Sequence, residues 1–304
     1  MLVKILAFVW ISTGVCFGSD LLTTLSLEEK VGQLLMAHFH GEVANDDAKI
    51  LVQEIKVGGI IYYNWANGLS SPERVQTLSH GLQQLTEKNR ISIPLLIAAD
   101  QEGGVVARLQ AGFTEFPGNR ALGETSDPTL AREAAFISGM ELRAVGINMN
   151  LAPVVDVNSN PHNPVIGIRS FGDDPNVVTA FGKQALQGFR EAEIISTLKH
   201  FPGHGDVAID SHEDLPIIRK SEEELQRCEL VPFKELSASA DAIMTAHILV
   251  PAIDSENCCT LSAKTLTYLR ETIGFQGLIV TDSLVMGAVL KKCHTIDEAA
   301  ILSL

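Results

Sequence analysis

The densest group of reactive side chains is Lys199-His200-Phe201-Pro202-Gly203-His204-Gly205-Asp206, which continues to Asp210-Ser211-His212 and Leu215-Pro216. Its prolines and glycines make it a shaped loop and not a helix. Two chemistries suit these residues. His204, His212, Asp206 and Asp210 could bind a metal, which needs three or four donors converging at about 2 Å. Alternatively, Asp210 and His212 form a proton-transfer pair. They stand one residue apart, so in extended chain both side chains point the same way. The carboxylate would then fix one tautomer of the imidazole and raise its basicity. His204 is read as shaping the loop and not as reacting.

Elsewhere, polar residues close short apolar runs. Asp100 follows Leu95–Ala99, Asp156 follows a run ending near Val155, Lys199 and His200 follow Ile194–Leu198, His247 follows Ala242–Ala246, and Asp282 follows Leu278–Thr281. Strands often end in Asp for turn chemistry alone. The recurrence, with Lys and His among the residues, points instead to groups held at the carboxyl ends of parallel strands, where barrel enzymes keep their chemistry.

The elements that would position these groups are legible. Apolar runs at Leu34–Phe39, Gly59–Tyr62, Leu95–Ala99, Ile147–Leu151, Ile194–Leu198, Ala242–Ala246 and Leu278–Thr281 read as strands buried on both faces. Helix-like segments alternate with them: Pro72–Lys88, Thr129–Ala144, Pro175–Ala192, Ser221–Ser237, Ala263–Thr272 and Ile296–Leu304. Ser26-Leu27-Glu28-Glu29 reads as a capping box. The order is α/β, either a closed barrel or an open doubly wound sheet. Gly103-Gly104 reads as a close backbone approach; the nucleotide-binding glycine fingerprints are absent. Tyr62, Tyr63 and Trp65 offer aromatic stacking faces, although aromatics after a strand more often pack, and His38, His40 and His80 read as ordinary histidines.

Against 23 Lys and Arg stand 37 Asp and Glu, a formal charge of −14, which disfavours nucleic acid and anionic membranes as partners. Lys4, an apolar stretch from Ile5 to Val15 and the small residues Cys16 and Gly18 before Ser19 read as a cleaved secretory leader over residues 1–18, so export is expected. The other cysteines, Cys228, Cys258, Cys259 and Cys293, match no zinc spacing and read as free thiols, with one bridge possible but not indicated.

Several of these segments, in order, resemble glycoside hydrolase family 3, and more narrowly its bacterial β-N-acetylglucosaminidase branch. The Lys199–Gly205 stretch with Asp210-Ser211-His212 looks like that branch's signature. Asp100-Gln101-Glu102-Gly103-Gly104-Val105-Val106-Ala107-Arg108, Ala152-Pro153-Val154-Val155-Asp156-Val157, Ile168-Arg169-Ser170-Phe171-Gly172 and Val280-Thr281-Asp282-Ser283-Leu284 agree with it. The resemblance runs from about Leu25 to the C-terminus. It implies a (β/α)8 TIM-type barrel over residues 19–304. It also implies retaining hydrolysis of terminal β-N-acetylhexosaminides, with peptidoglycan fragments as substrate class and without cofactor or metal. Asp282 would be the nucleophile, His212 the general acid/base and Asp210 its partner. Asp100, Arg108, Arg169, Lys199 and His200 would bind the terminal sugar. A saccharide or muropeptide is the expected partner, with no nucleic acid and no stable membrane association.

The seven apolar runs fall one strand short of that barrel. An open seven-stranded sheet exposes an unpaired edge, so a less stable or inactive protein is expected if these residues are the whole chain. Three readings compete with the hydrolase. A β-glucosidase of the same family commonly uses a Glu acid/base from another domain. A phosphorylase is favoured by a neutral histidine, which tolerates incoming phosphate. A catalytically dead sugar-binding protein is the third.

Overall fold

The computed structural model describes residues 18–211, 214–293 and 295–304. The expected leader lies outside them, save Gly18, and so does His212. Among the described residues nine strands are formed: β1 (Met36–Ala37), β2 (Gly59–Tyr62), β3 (Leu96–Ala99), β4 (Gln101–Gly103), β5 (Val106–Ala107), β6 (Met149–Asn150), β7 (Ile195–Phe201), β8 (Ala242–Thr245) and β9 (Leu278–Thr281). Seven of them make one sheet in the order β1-β2-β3-β6-β7-β8-β9, with every pairing parallel. Strands β4 and β5 form a separate antiparallel hairpin.

Parallel neighbours demand crossovers, and helices supply them. Helix Pro72–Thr86 starts at a Ser71 cap, and helix Pro175–Glu191 starts at an Asp174 cap, each with proline in its first turn. The capping box at Ser26 and Glu29 forms as expected. Helix Thr129–Ala144 also runs as expected, whereas the segment Ser221–Ser237 splits into Glu222–Arg227 and Val231–Leu236. Pro232 explains the break: its ring would clash with the carbonyl of Cys228 in a continuous helix.

Alternation along the strands separates two apolar layers. Ile60, Tyr62, Ile97, Ala99 and Ile243 pack among helix residues such as Leu78, Leu142 and Phe181. Ala98, Met149, Leu151, Ala242 and Met244 pack with one another on the opposite face, as expected where a parallel sheet curls on itself. Tyr62 is fully buried and its hydroxyl pairs with Ser79, so this residue packs and does not face the sheet's mouth.

The closing strand expected of a full barrel is absent among the described residues, leaving β1 and β9 as edges of the sheet. The fold is therefore an α/β barrel-type sheet of seven strands. Cys228, Cys258, Cys259 and Cys293 are free thiols. No helix among the described residues is long and apolar enough to cross a membrane.

Candidate active site

Strand β7 builds the centre of the site. Its register with β8 shifts between Leu198 and Phe201, so three steps on β7 match two on β8. Such a bulge re-aims side chains at a strand end. It lets the neighbours Lys199 and His200 serve the same mouth, although adjacent strand residues normally face opposite ways. These two residues, with Phe201, belong to the strand. The shaped loop expected from Lys199 onward begins only at Pro202.

Lys199 is 2% exposed and lies between two carboxylates, 2.8 Å from Asp100 Oδ1 and 2.7 Å from Glu102 Oε1. Arg169 grips Glu102 with two parallel hydrogen bonds, Nε to Oε2 at 2.9 Å and Nη2 to Oε1 at 2.8 Å. Arg108 donates to Asp100 Oδ2 at 3.2 Å. Burial opposes the charge on Asp100, but Lys199 and Arg108 outweigh it and hold the carboxyl at about 2. Burial likewise opposes the charge on Glu102, where Lys199 and Arg169 prevail. The lysine is pushed down by burial and up, more strongly, by its two carboxylates.

The hairpin that carries Glu102 is fixed from behind. Gln101 exchanges hydrogen bonds with Leu109 through its side chain, and Asn150 bonds both backbone groups of Gln101. Gly104 has φ +60 and lies so close to Gly118 that a Cβ would stand 3.0 Å from its Cα. The close approach expected of Gly103-Gly104 is therefore real, and serves packing of the hairpin.

His200 is oriented by a residue without an assigned role in the sequence reading. The buried Asp156 accepts from His200 Nδ1 at 2.7 Å and from the backbone N–H groups of His200 and His204 at 3.1 and 2.7 Å. Burial raises the Asp156 carboxyl, but His200 and His204 bring it below its ordinary value. Since an ionised carboxylate only accepts, His200 Nδ1 donates to Asp156, and its Nε2 lies 3.4 Å from Arg169 Nη2.

Asp282 stands at the carboxyl end of β9, and its N–H donates to Thr245 O at 3.1 Å. Burial pushes the Asp282 carboxyl up. His200, His247, the Ser283 N–H and Lys199 pull harder and hold it below the usual range. His247 is buried and donates from Nε2 to Ser283 O at 2.9 Å, so it braces the peptide directly after Asp282. It acts here by position on its neighbour.

The loop beyond Phe201 is held at both ends. At the near end Asn163 donates to His204 O at 2.8 Å, and Gly205 leaves no room for a Cβ against Val157 O. At the far end His204 Nε2 meets Ser211 Oγ at 3.0 Å, and Ala288 N–H donates to Ser211 O at 3.2 Å. Ala288 follows Asp282 by six residues, so the segment bearing Asp210 and Ser211 is tied to the one that follows Asp282. Burial, with neighbouring His200, pushes His204 down to about 4, and its Nδ1 has no hydrogen-bond partner among the described residues. His204 is thus a neutral loop strut, as the sequence suggested. Asp206 turns to Lys220 and Ser159, away from His204's bond to Ser211, so the two do not converge as metal donors. Among the described residues no three His, Cys, Asp or Glu side chains do.

The structure therefore brings Asp100, Arg108, Arg169, Lys199, His200 and Asp282 into one mouth and places Asp210 on its adjoining loop. Glu102 and Asp156 complete it. Their signals were present, a carboxylate inside Asp100–Arg108 and another after an apolar run, but nothing in the sequence named their partners. A cavity of about 250 Å³ behind the hairpin is lined by Glu102, Ser138 and Phe171, but by neither Lys199 nor Asp282.

The chain matches the glycosyl hydrolase family 3 N-terminal domain over residues 26–304. It is 38% identical over 265 residues to Beta-hexosaminidase A of Pseudoalteromonas piscicida, covering 81% of this chain and 44% of that protein. It is 37% identical over 245 residues to Beta-hexosaminidase of Xylella fastidiosa strain M23, covering 78% of this chain and 70% of that protein. Among solved structures, a family 3 β-N-acetylglucosaminidase from Paenibacillus sp. str. FPU-7 superposes with a TM-score of 0.89 at 48% identity, over 92% of this chain and 53% of that one. NagZ from Neisseria gonorrhoeae, solved with N-trifluoroacetyl-D-glucosamine, superposes with a TM-score of 0.77 at 31% identity, over 88% and 78%. The chain thus spans about half the length of the Pseudoalteromonas and Paenibacillus relatives.

Proposed function

We propose that this chain, which belongs to glycosyl hydrolase family 3, removes terminal β-linked N-acetylglucosamine from saccharides by two-step hydrolysis with retention. The observation that carries the reading is Asp282, kept ionised at the end of β9 beside His200, His247 and Lys199. An anion fixed there, facing a pocket of buried hydrogen-bonding charges, suits attack on an anomeric carbon. Asp100, Arg108, Lys199, His200 and Arg169 would hold the hydroxyls of the terminal sugar, since charge-assisted hydrogen bonds in a dry pocket are strong and directional.

In the first step an Asp282 oxygen bonds to C1 while the C1–O bond to the leaving group breaks, and His212 gives its proton to that oxygen. In the second, His212 takes a proton from water, the water oxygen bonds to C1 and the ester to Asp282 breaks. The product keeps the β configuration because C1 is inverted twice. A histidine serves both halves because its ordinary pKa lies near neutrality. Asp210 would hold its tautomer. The bond from Ala288 to Ser211 supports coordination of the two steps, because one contact links the loop of the acid to the segment behind the nucleophile.

The substrate class we favour is peptidoglycan fragments, and the leader at residues 1–18 favours action outside the cytoplasm. The test is incubation with a mechanism-based fluoro-N-acetylglucosaminyl fluoride, followed by peptide mapping. A sugar ester on Asp282 is expected; label elsewhere, or none despite turnover, overturns the assignment. Turnover of aryl N-acetylglucosaminide but not aryl glucoside separates this reading from a glucosidase. A rate unchanged by added phosphate separates it from a phosphorylase. Binding of N-acetylglucosamine without any turnover would leave the chain a sugar-binding protein.

A further inference from the structure

The turn after β2 carries an aromatic group that the terminal-sugar pocket does not use. Trp65 is 60% exposed at the tip of this turn. Its indole stacks on Tyr63, with centroids 5.0 Å apart and planes 19° from parallel. His38 stands edge-on to both rings, at 5.1 Å from Trp65 and 5.5 Å from Tyr63. His40 adds a fourth ring, 5.5 Å from Trp65. These residues come from the carboxyl ends of β1 and β2, the same end of the sheet as Asp100 and Asp282.

The turn is rigid. Asn67 accepts from Tyr63 N–H at 3.0 Å and donates to Phe39 O at 3.0 Å, so one buried amide stitches the two loops together. Gly41 N–H closes the pair on Ala66 O at 3.0 Å. A tryptophan held like this has already lost much of its rotamer freedom, yet most of its apolar area still faces water. A ligand that covers it therefore gains the burial without the ordering cost.

Arg108 connects this group to the pocket. Its guanidinium lies 5.7 Å above the Tyr63 ring and bonds Asp100. The Tyr63 phenol is pushed up to about 12 by burial and by the charges of Asp100 and Asp282. The stacked pair thus begins beside the ionic pocket and ends at open solvent.

We propose that Trp65, backed by Tyr63 and His38, is a stacking platform for a pyranose ring in the leaving group, which makes a saccharide the preferred aglycone. The proposal rests on the glycosidase reading above. In a pocket that takes the terminal sugar, that sugar meets buried charges, and only the leaving group extends outward to the rim. The C–H face of a pyranose fits an indole, and Trp65 presents such an apolar face, 60% exposed, at the rim.

The experiment compares the intact protein with W65A and W65F on two substrates, N,N′-diacetylchitobiose and β-N-acetylglucosaminyl fluoride, whose leaving group is a single atom. W65A is expected to lose about tenfold more kcat/KM on the disaccharide than on the fluoride, chiefly through KM. W65F should recover a large part of that loss. Equal losses on both substrates by a folded variant, or none on either, overturn the platform. If the intact protein cleaves neither substrate, the glycosidase reading itself fails, which is a different outcome. A misfolded W65A variant would lose the fluoride activity too, and W65F then decides: it must show the disaccharide-selective loss on a smaller scale, or the proposal falls.

Discussion

Lys199 Nζ stands 2.7 Å from Glu102 Oε1, and both side chains are 2% exposed. This pair, with Arg169 on the other side of the carboxylate, is the ionic keystone of the pocket. Replacing Glu102 by Gln keeps its shape but leaves Lys199 and Arg169 with one anion fewer. Breaking a buried pair from one side costs about 3–5 kcal/mol. Urea unfolding of Glu102→Gln is expected to show a loss near 3 kcal/mol. A loss under about 1 kcal/mol would mean that the pair does not hold the site together.

Much of this site was legible in the sequence, for reasons that also explain what was not. Strand ends are marked by the change from apolar runs to Asp, Lys or His, and so Asp100, Lys199, His200 and Asp282 were visible as a set. Pairing is not a local property. Glu102 sits inside a hairpin recognised only as a glycine device, and its partners Lys199 and Arg169 lie 97 and 67 residues away along the chain. Asp156 was seen as a strand end, but its grip on two histidine backbones depends on how β7 lies beside it. The split of Ser221–Ser237 was written in Pro232, whereas the bulge that turns Lys199 and His200 to one mouth has no local signature. Of the proposed dyad, Asp210 is described in the structure and His212 is not.

Asp282→Ala should remove turnover by roughly 10⁴-fold, the scale seen when one member of a catalytic set is lost. Because Asp282 is part-exposed and its side chain accepts mainly from Ser283 N–H, folding should survive. Added azide should restore release of the leaving group and yield the glycosyl azide of inverted configuration. Activity within tenfold of the parent would exclude Asp282 as nucleophile.

His212→Ala should separate substrates by leaving group. A phenyl leaving group needs a proton, and its rate is expected to fall by about 10²–10⁴-fold. A 2,4-dinitrophenolate leaves without one, so formation of the glycosyl ester should be far less affected. Pre-steady-state release of dinitrophenol checks this. Equal losses on both substrates would assign His212 to binding or loop structure.

Stability should fall with acid in two stages. His204 is held at about 4 in the folded protein but titrates near its ordinary 6.5 when unfolded. The unfolded chain therefore gains a proton first, and stability drops as pH falls from about 6.5 to 4. Asp100 is held at about 2, against an ordinary value of 3.8. Its contribution, on the order of 2 kcal/mol, is present above the ordinary value and disappears as pH falls toward 2. Glu102 and Asp156 act in the same direction. Lys199 is raised, so its share persists through neutral pH and is lost only as pH rises past the ordinary lysine range. Urea titrations across pH test this. His204→Phe should flatten the loss between pH 6.5 and 4, and an unchanged slope there would refute the assignment.

The open edge of the sheet supplies the last prediction. Strand β9 pairs only with β8 among the described residues, and Leu278 at its start is 43% exposed. An apolar residue on a free edge invites pairing with another chain, and a lysine there is a common deterrent. In the 304-residue chain, Leu278→Lys is expected to lower light scattering on concentration while changing unfolding free energy by no more than about 0.5–1 kcal/mol. The next residue gives the contrast. Ile279 packs against the layer shared with the helices, so Ile279→Lys places a charge in apolar surroundings and should destabilise by several-fold more. Equal destabilisation by the two substitutions would mean that β9 does not present Leu278 at an open edge, since only a covered strand would penalise both faces alike.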